Sequence, residues 1–205
     1  LSKEESMHCI AVLRHKVGDQ IYIVNGRGDE FFCKIISTKN NLVKSTITDQ
    51  KQVINNKSNS YIHIVIAPTK SSQRLEWFIE KAIEIGVDEI SFIRCLNSER
   101  KKINFNRINK IAISAIKQSL KAYLPIINDI DEFSEVISNI SQPHRYIGCL
   151  GDYSTEFLGH LAPKNNDYCL FIGPEGDFSE KEIKTALEYN FTSVSLGENR
   201  LRTET

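Results

Sequence analysis

Three turns in this sequence start with glycine directly after an apolar run. Gly151 follows Arg145–Leu150, Gly173-Pro174-Glu175-Gly176 follows Tyr168–Ile172, and Gly197 follows Thr192–Leu196. A residue without a Cβ lets the chain pass close to a ligand, and open parallel sheets bind ligands beyond the carboxyl ends of their strands. Together the three turns predict one small-molecule site made largely of main chain. The middle turn continues into Asp177-Phe178-Ser179-Glu180-Lys181-Glu182, where Ser179 and Glu182 have the spacing of a capping box. A helix start attracts anions, so a phosphate loop is the rival reading. Neither Gly-x-x-x-x-Gly-Lys-Ser/Thr nor Gly-x-Gly-x-x-Gly after the first strand occurs, and Glu175 and Asp177 would repel phosphate. A ligand with a cationic centre and an adenine edge suits the loop, and S-adenosylmethionine has both.

The elements that must position these turns follow from hydrophobic periodicity. Gln20–Val24 and Glu30–Ile36, separated by Asn25-Gly26-Arg27-Gly28-Asp29, predict a hairpin. Alternation continues through 41–53, so residues 1–57 read as a small all-β module, and the polar stretch Asn55–Ser60 reads as a linker. Beyond it the period changes. Tyr61–Ala67, Glu89–Arg94, Arg145–Leu150, Tyr168–Ile172 and Thr192–Leu196 predict strands. Helices are predicted through Leu75, Phe78, Ile79, Ala82 and Ile83 up to Gly86, through Ile108–Ile116 ending before Pro125, and from Ser179 to about Tyr189. Strands alternating with helices predict a mostly parallel sheet covered on both faces.

Composition narrows the function classes. The 205 residues are 40% hydrophobic and 25% charged, values of a folded globular chain. No apolar run approaches a bilayer span and no secretion signal opens the chain, which leads to the expectation of a cytoplasmic protein. Leu1 and Thr205 read as interior positions of a longer natural chain. Five widely spaced cysteines without a Cys-x-x-Cys pair or a His cluster predict reduced, core-facing thiols and no metal. The net charge of zero conceals a split. Residues 1–125 hold 20 Lys and Arg against 12 Asp and Glu, a net +8, whereas 126–205 hold 6 against 14, a net −8. A basic front predicts a polyanionic partner.

Two closing segments, Phe171-Ile-Gly-Pro-Glu-Gly-Asp-Phe-Ser179 and Val194-Ser-Leu-Gly-Glu-Asn-Arg-Leu-Arg-Thr-Glu-Thr205, resemble the final motifs of the RsmE family, SPOUT-class methyltransferases of uridine N3 in 16S ribosomal RNA. Further matches run in order through Val12-Leu13-Arg14, Lys70, Glu76-Trp77, Glu84–Ile90, Ser98-Glu99-Arg100, Gln118-Ser119 and Pro125. The resemblance implies a PUA-like RNA-binding β-barrel over 1–57, then a SPOUT α/β domain over 61–205 closed by a C-terminal trefoil knot. It also implies a homodimer, small-subunit RNA as partner and S-adenosylmethionine as cofactor. Cofactor contacts are implied at Leu150, Gly151, Ile172, Gly173, Glu175 and Gly176, and at Leu196, Gly197 and Leu201. Three positions depart from the family: Asp177 replaces a favoured glycine, Lys117 an acidic residue and Lys121 an arginine, the last two expected on one helix that faces RNA or the active site. The chain stops inside the last motif, before the helix that would complete the knot.

In-line methyl transfer to uridine N3 requires positioning, removal of the N3 proton and stabilisation of the developing anion. Arg202 is the candidate catalytic cation. The general base stays open among Glu204, Glu175 and a water. RNA contacts are assigned to Arg14, Lys16 and Arg27 in the first domain and to Lys70, Arg74, Arg100, Lys101, Lys102 and Lys121 in the second. Two alternatives stand beside this reading: a SPOUT ribose 2′-O-methyltransferase, and a non-catalytic RNA-binding ribosome-assembly factor.

Overall fold

The computed structural model describes residues 1–53, 60–153, 156–199 and 201–205. The chain divides into two compact units, Leu1–Asn56 with Leu120–Tyr123, and Lys57–Ser119 with Leu124–Thr205. The predicted linker falls, up to Asn59, outside the described residues.

The first unit is not all-β. Ser2 accepts the N–H of Glu5 and caps the short helix α1 (Lys3–Met7), which passes into a π-helical turn at His8–Val12. Its local polar cap outweighs the strand-like reading of the region. The antiparallel strands β1 (Gln20–Val24), β2 (Asp29–Ser37) and β3 (Lys44–Gln52) follow in that spatial order. Tyr22 pairs with Phe32 across the hairpin, and a bulge lies between Phe32 and Cys33. Cys9, Ile35 and Val43 form a small core with Ile10 and Ile21 against it. The returning segment Leu120–Tyr123 fixes the hairpin tip: Gly28 N–H donates to Ala122 O at 3.0 Å, and Tyr123 Oη donates to Val53 O at 3.0 Å. At φ +99°, and with the Tyr123 ring where a Cβ would stand, position 28 accommodates only glycine.

In the second unit six parallel strands alternate with helices: β4 (Ile62–Ile66), α2 (Ser72–Ile85), β5 (Glu89–Arg94), α3 (Phe105–Gln118), β6 (Ile126–Glu132), α4 (Phe133–Ser138) and β7 (His144–Gly148) come first. After β7 come α5 (Leu158–Leu161), β8 (Tyr168–Ile172), α6 (Glu180–Glu188) and β9 (Thr192–Val194). The spatial order is β6-β5-β4-β8-β7-β9. One face, with Ile66, Ile90 and Phe92, packs under Leu75, Ile79 and Ile83 of α2 and Ile108, Ala112 and Ile116 of α3. The other, with Val65, Ile93, Ile147 and Phe171, packs under Phe133 and Ile137 of α4 and Ile183 and Ala186 of α6. Single stripes of apolar residues along each helix account for this two-layer burial.

In the second unit the sequence-based reading needs correction. β6 and α4 are absent from it, because Ile126-Ile-Asn-Asp-Ile-Asp-Glu132 is an edge strand, paired with β5, whose Asp129, Asp131 and Glu132 face solvent and break the apolar run. α3 ends at Gln118, and Leu120 leaves it at φ +53°, so Lys121 lies off the helix on which it was placed. β7 stops at Gly148 and β9 at Val194, each two residues before its predicted end.

Candidate active site

Strand order creates the site. β8 inserts between β4 and β7, pairing Ile172 with both Ile66 and Gly148, while Gly148 also pairs with Val194 of β9. The turns after β7, β8 and β9 therefore leave the same edge side by side, at the point where the chain reverses its progress across the sheet.

Polar contacts then fix each turn. Asp177 sits in the left-handed region at φ +62°; its Oδ2 accepts the N–H of Leu150 at 2.9 Å and its Oδ1 that of Phe178 at 2.8 Å. That backbone angle explains why a glycine is favoured there, and Asp is among the few other residues that adopt it readily. Glu175 Oε1 accepts the N–H of Lys70 at 2.9 Å. Asn97 Nδ2 donates to the carbonyls of Gly176 and Asp177. Ser195 Oγ accepts the N–H of Gly197 at 3.1 Å, and α6 opens with the predicted capping box between Ser179 and Glu182. Hydrogen bonds thus tie the loops to one another, and the buried Phe178 ring packs under the middle one.

Around them lies a cavity of about 1030 Å³. Leu150, Gly151, Ile172, Gly173, Glu175, Leu196, Gly197, Leu201 and Arg202 line it; Gly176 does not, and faces Asn97. Gly151 (φ +74°) and Gly197 (φ +141°) have open space where a Cβ would project, which makes a main-chain cradle for a ligand. Gly173 differs: a Cβ there would meet the Phe178 ring at 3.0 Å, so its constraint is internal packing.

Helix α2 also lines the cavity, through Arg74, Trp77, Phe78, Lys81 and Ile85. Arg74, assigned to RNA in the sequence, instead faces this cavity beside Glu204, while Lys81 carried no sequence signal because its neighbours on the helix read only as a core stripe. Thr203 and Glu204 also line it. Glu204 Oε1 lies 3.4 Å from Arg74 Nε and 3.9 Å from an Arg202 guanidinium nitrogen. The Glu204 side chain is 9% exposed, and its Oε2 has no hydrogen-bond partner among the described residues.

The basic residues separate into different environments. Arg100 turns inward, donating to the carbonyls of Thr69 at 3.0 Å and Lys70 at 2.6 Å, while Lys70 pairs with Glu99 at 2.8 Å. Lys101 and Lys102 are exposed. Arg14, Lys16, Arg27 and Lys121 belong to the first unit, Arg14 at φ +59°. All five cysteines are buried, and burial raises the thiol pKa of Cys95 and Cys169 strongly and that of Cys149 to about 11. Such thiols are poor nucleophiles. Among the described residues no cluster of His, Cys, Asp or Glu is placed to hold a metal, and no helix is long and apolar enough to cross a membrane.

A parallel α/β sheet with a glycine-lined cavity at its switch point defines a class of ligand-binding α/β proteins, and comparison with known proteins identifies which. Residues 56–205 match the RNA methyltransferase domain family and residues 1–48 the RNA methyltransferase PUA domain. Ribosomal RNA small subunit methyltransferase E of Buchnera aphidicola is 31% identical over all of this chain and 82% of the relative. A Porphyromonas gingivalis structure described as an rRNA methyltransferase superposes with a TM-score of 0.92 at 38% identity, covering 100% of this chain and 87% of that one. A Legionella pneumophila methyltransferase structure with bound S-adenosylmethionine superposes with a TM-score of 0.89 at 28% identity, covering 100% and 85%. The chain belongs to the small-subunit ribosomal RNA methyltransferase E family.

Proposed function

We propose that this protein transfers the methyl group of S-adenosylmethionine to N3 of a uridine in 16S ribosomal RNA. The observation that carries the reading is the cavity at the β4–β8–β7 edge in a chain of this family, lined by Gly151 and Gly197 together with Arg74, Glu204 and Arg202. The open volume beside both glycines fits a cofactor held by main-chain groups. Leu150, Gly151, Ile172, Gly173, Leu196, Gly197 and Leu201 hold it, and Glu175 acts by anchoring its loop to Lys70. When bound, the cofactor supplies an electrophilic methyl group on a sulfonium. Arg202 stabilises the negative charge that develops on the uracil carbonyl oxygens.

The first unit docks RNA through Arg14, Lys16 and Arg27, and Lys101 and Lys102 add phosphate contacts. The protein forms the closed PUA-like barrel, the C-terminal trefoil knot and the homodimer that the family resemblance implies, and ribosomal RNA as substrate places it in the cytoplasm. The test is mass mapping of ribosomal RNA from cells lacking the gene, with calorimetry of S-adenosylmethionine on the protein. Loss of a single base methyl together with measurable cofactor binding is expected; an unchanged map removes the substrate, and absent binding removes the enzymatic reading.

A further inference from the structure

The carboxylate of Glu204 is the least satisfied charged group in the cavity wall. Its side chain is nine-tenths buried, Oε1 stands between the guanidinium groups of Arg74 and Arg202, and Oε2 is screened from water without a partner among the described residues. A buried carboxylate oxygen lacking a donor is costly, and a ligand that brings a donor into the cavity removes that cost. The terminal torsion of a glutamate is broad and two-fold, so rotation about it can present either oxygen to the cavity.

Arg74, Glu204 and Arg202 together offer a donor, an acceptor and a donor around one point of the cavity. The imide edge of uracil is the complement: acceptor O2, donor N3–H and acceptor O4. Cytosine presents a bare N3 beside an amino group, so its N3 lone pair would face the carboxylate. We propose that this trio reads the uracil edge and that Glu204 is the general base for N3, an inference that rests on the uridine-N3 reading above.

The step balances. Glu204 takes the N3 proton, the electron pair of the N–H bond stays on N3 and forms the bond to the methyl carbon, and the carbon–sulfur pair returns to sulfur. Carboxylate and sulfonium charges disappear together, leaving a neutral carboxylic acid, a thioether and the N3-methylated base. Arg74 and Arg202 stabilise the charge passing through O2 and O4 and hold the carboxylate in place beforehand.

The test uses the whole protein with small ribosomal subunits from cells lacking the gene, and with small-subunit RNA transcripts carrying uridine or 5-fluorouridine, whose N3 is more acidic. Glu204→Gln should bind S-adenosylmethionine within about threefold of the parent and slow single-turnover transfer by about 10²-fold or more, the scale of a lost general base. Its rate should rise with pH with a slope near one, and the 5-fluorouridine transcript should recover about tenfold or more of the loss. Glu204→Asp, which keeps the carboxylate, should recover part of it and checks that folding is intact. A Glu204→Gln protein with the parent's rate and pH profile overturns the proposal. So does a loss of cofactor affinity equal to the loss of rate, which would make Glu204 a partner of the cofactor's ammonium. A parent protein that leaves uridine N3 unmethylated in the same assay removes the underlying reading instead, and the proposal with it.

Discussion

Asp177 ties the turn after β8 to the turn after β7 by accepting the backbone N–H of Leu150 at 2.9 Å, from a residue held at φ +62°. Two effects therefore meet at one position: the left-handed backbone disfavours a side chain, and the side chain supplies the tether. Asp177→Ala should lower stability by about 2 kcal/mol, combining backbone strain with lost hydrogen bonds, and Asp177→Gly by about 1 kcal/mol, since glycine removes the strain. Both should weaken S-adenosylmethionine binding by about tenfold. Equal destabilisation in denaturant melts would refute the strain account, and unchanged calorimetric affinity would refute the tether.

The three turn glycines should respond differently to a branched side chain. Gly151→Val and Gly197→Val place it in open cavity, so they should cost about 1–2 kcal/mol from the positive φ and reduce cofactor binding beyond detection. Gly173→Val drives its side chain into Phe178, a buried residue at 5% exposure, and should destabilise the second unit by about 2–3 kcal/mol through overpacking. Thermal melts beside binding titrations separate the two behaviours. A Gly173→Val protein as stable as the parent would mean that the Phe178 packing relaxes freely.

Neighbouring basic residues divide in the same way. Arg100→Ala leaves the Thr69 and Lys70 carbonyls without their guanidinium donor and should cost about 1–3 kcal/mol in stability. A Lys101→Ala, Lys102→Ala double variant should leave melting unchanged and lower the salt dependence of RNA affinity by about one unit of slope per lost phosphate contact. An unaltered slope would show that neither lysine contacts the backbone.

His63 makes stability depend on pH. Its imidazole is buried, with Nε2 2.7 Å from Ser91 Oγ, and burial pushes its pKa below the ordinary 6.5 against the opposing pull of Glu89 and Gln142. The folded state then binds fewer protons than the unfolded chain. Its contribution is complete above pH about 6.5 and is lost as pH falls from there toward the folded value. Melting temperatures of the parent should decline from pH 7 to pH 5 more steeply than those of His63→Gln, and parallel slopes would assign the pH dependence to other groups.

By itself the sequence determined the local features. The period of Leu75, Phe78, Ile79 and Ile83, the capping box at Ser179 and Glu182, and the strands Gln20–Val24, Glu89–Arg94 and Tyr168–Ile172 are set by residues near one another in the chain. The glycine-led turns were legible for the same reason, since a missing Cβ is a property of one position. Only the tertiary structure decided that β8 lies between β4 and β7, which brings turns up to 46 residues apart onto one edge; strand pairing rests on non-local hydrogen bonds that residue order does not encode. It likewise decided which charges are available. Arg100 and Lys102 are alike in sequence, yet one is spent on backbone carbonyls and the other is exposed, and Glu204 near the end of the chain is among the most buried carboxylates. Burial and partner geometry are sums over the whole packed chain, so a charge whose role depends on them cannot be read from its neighbours in sequence.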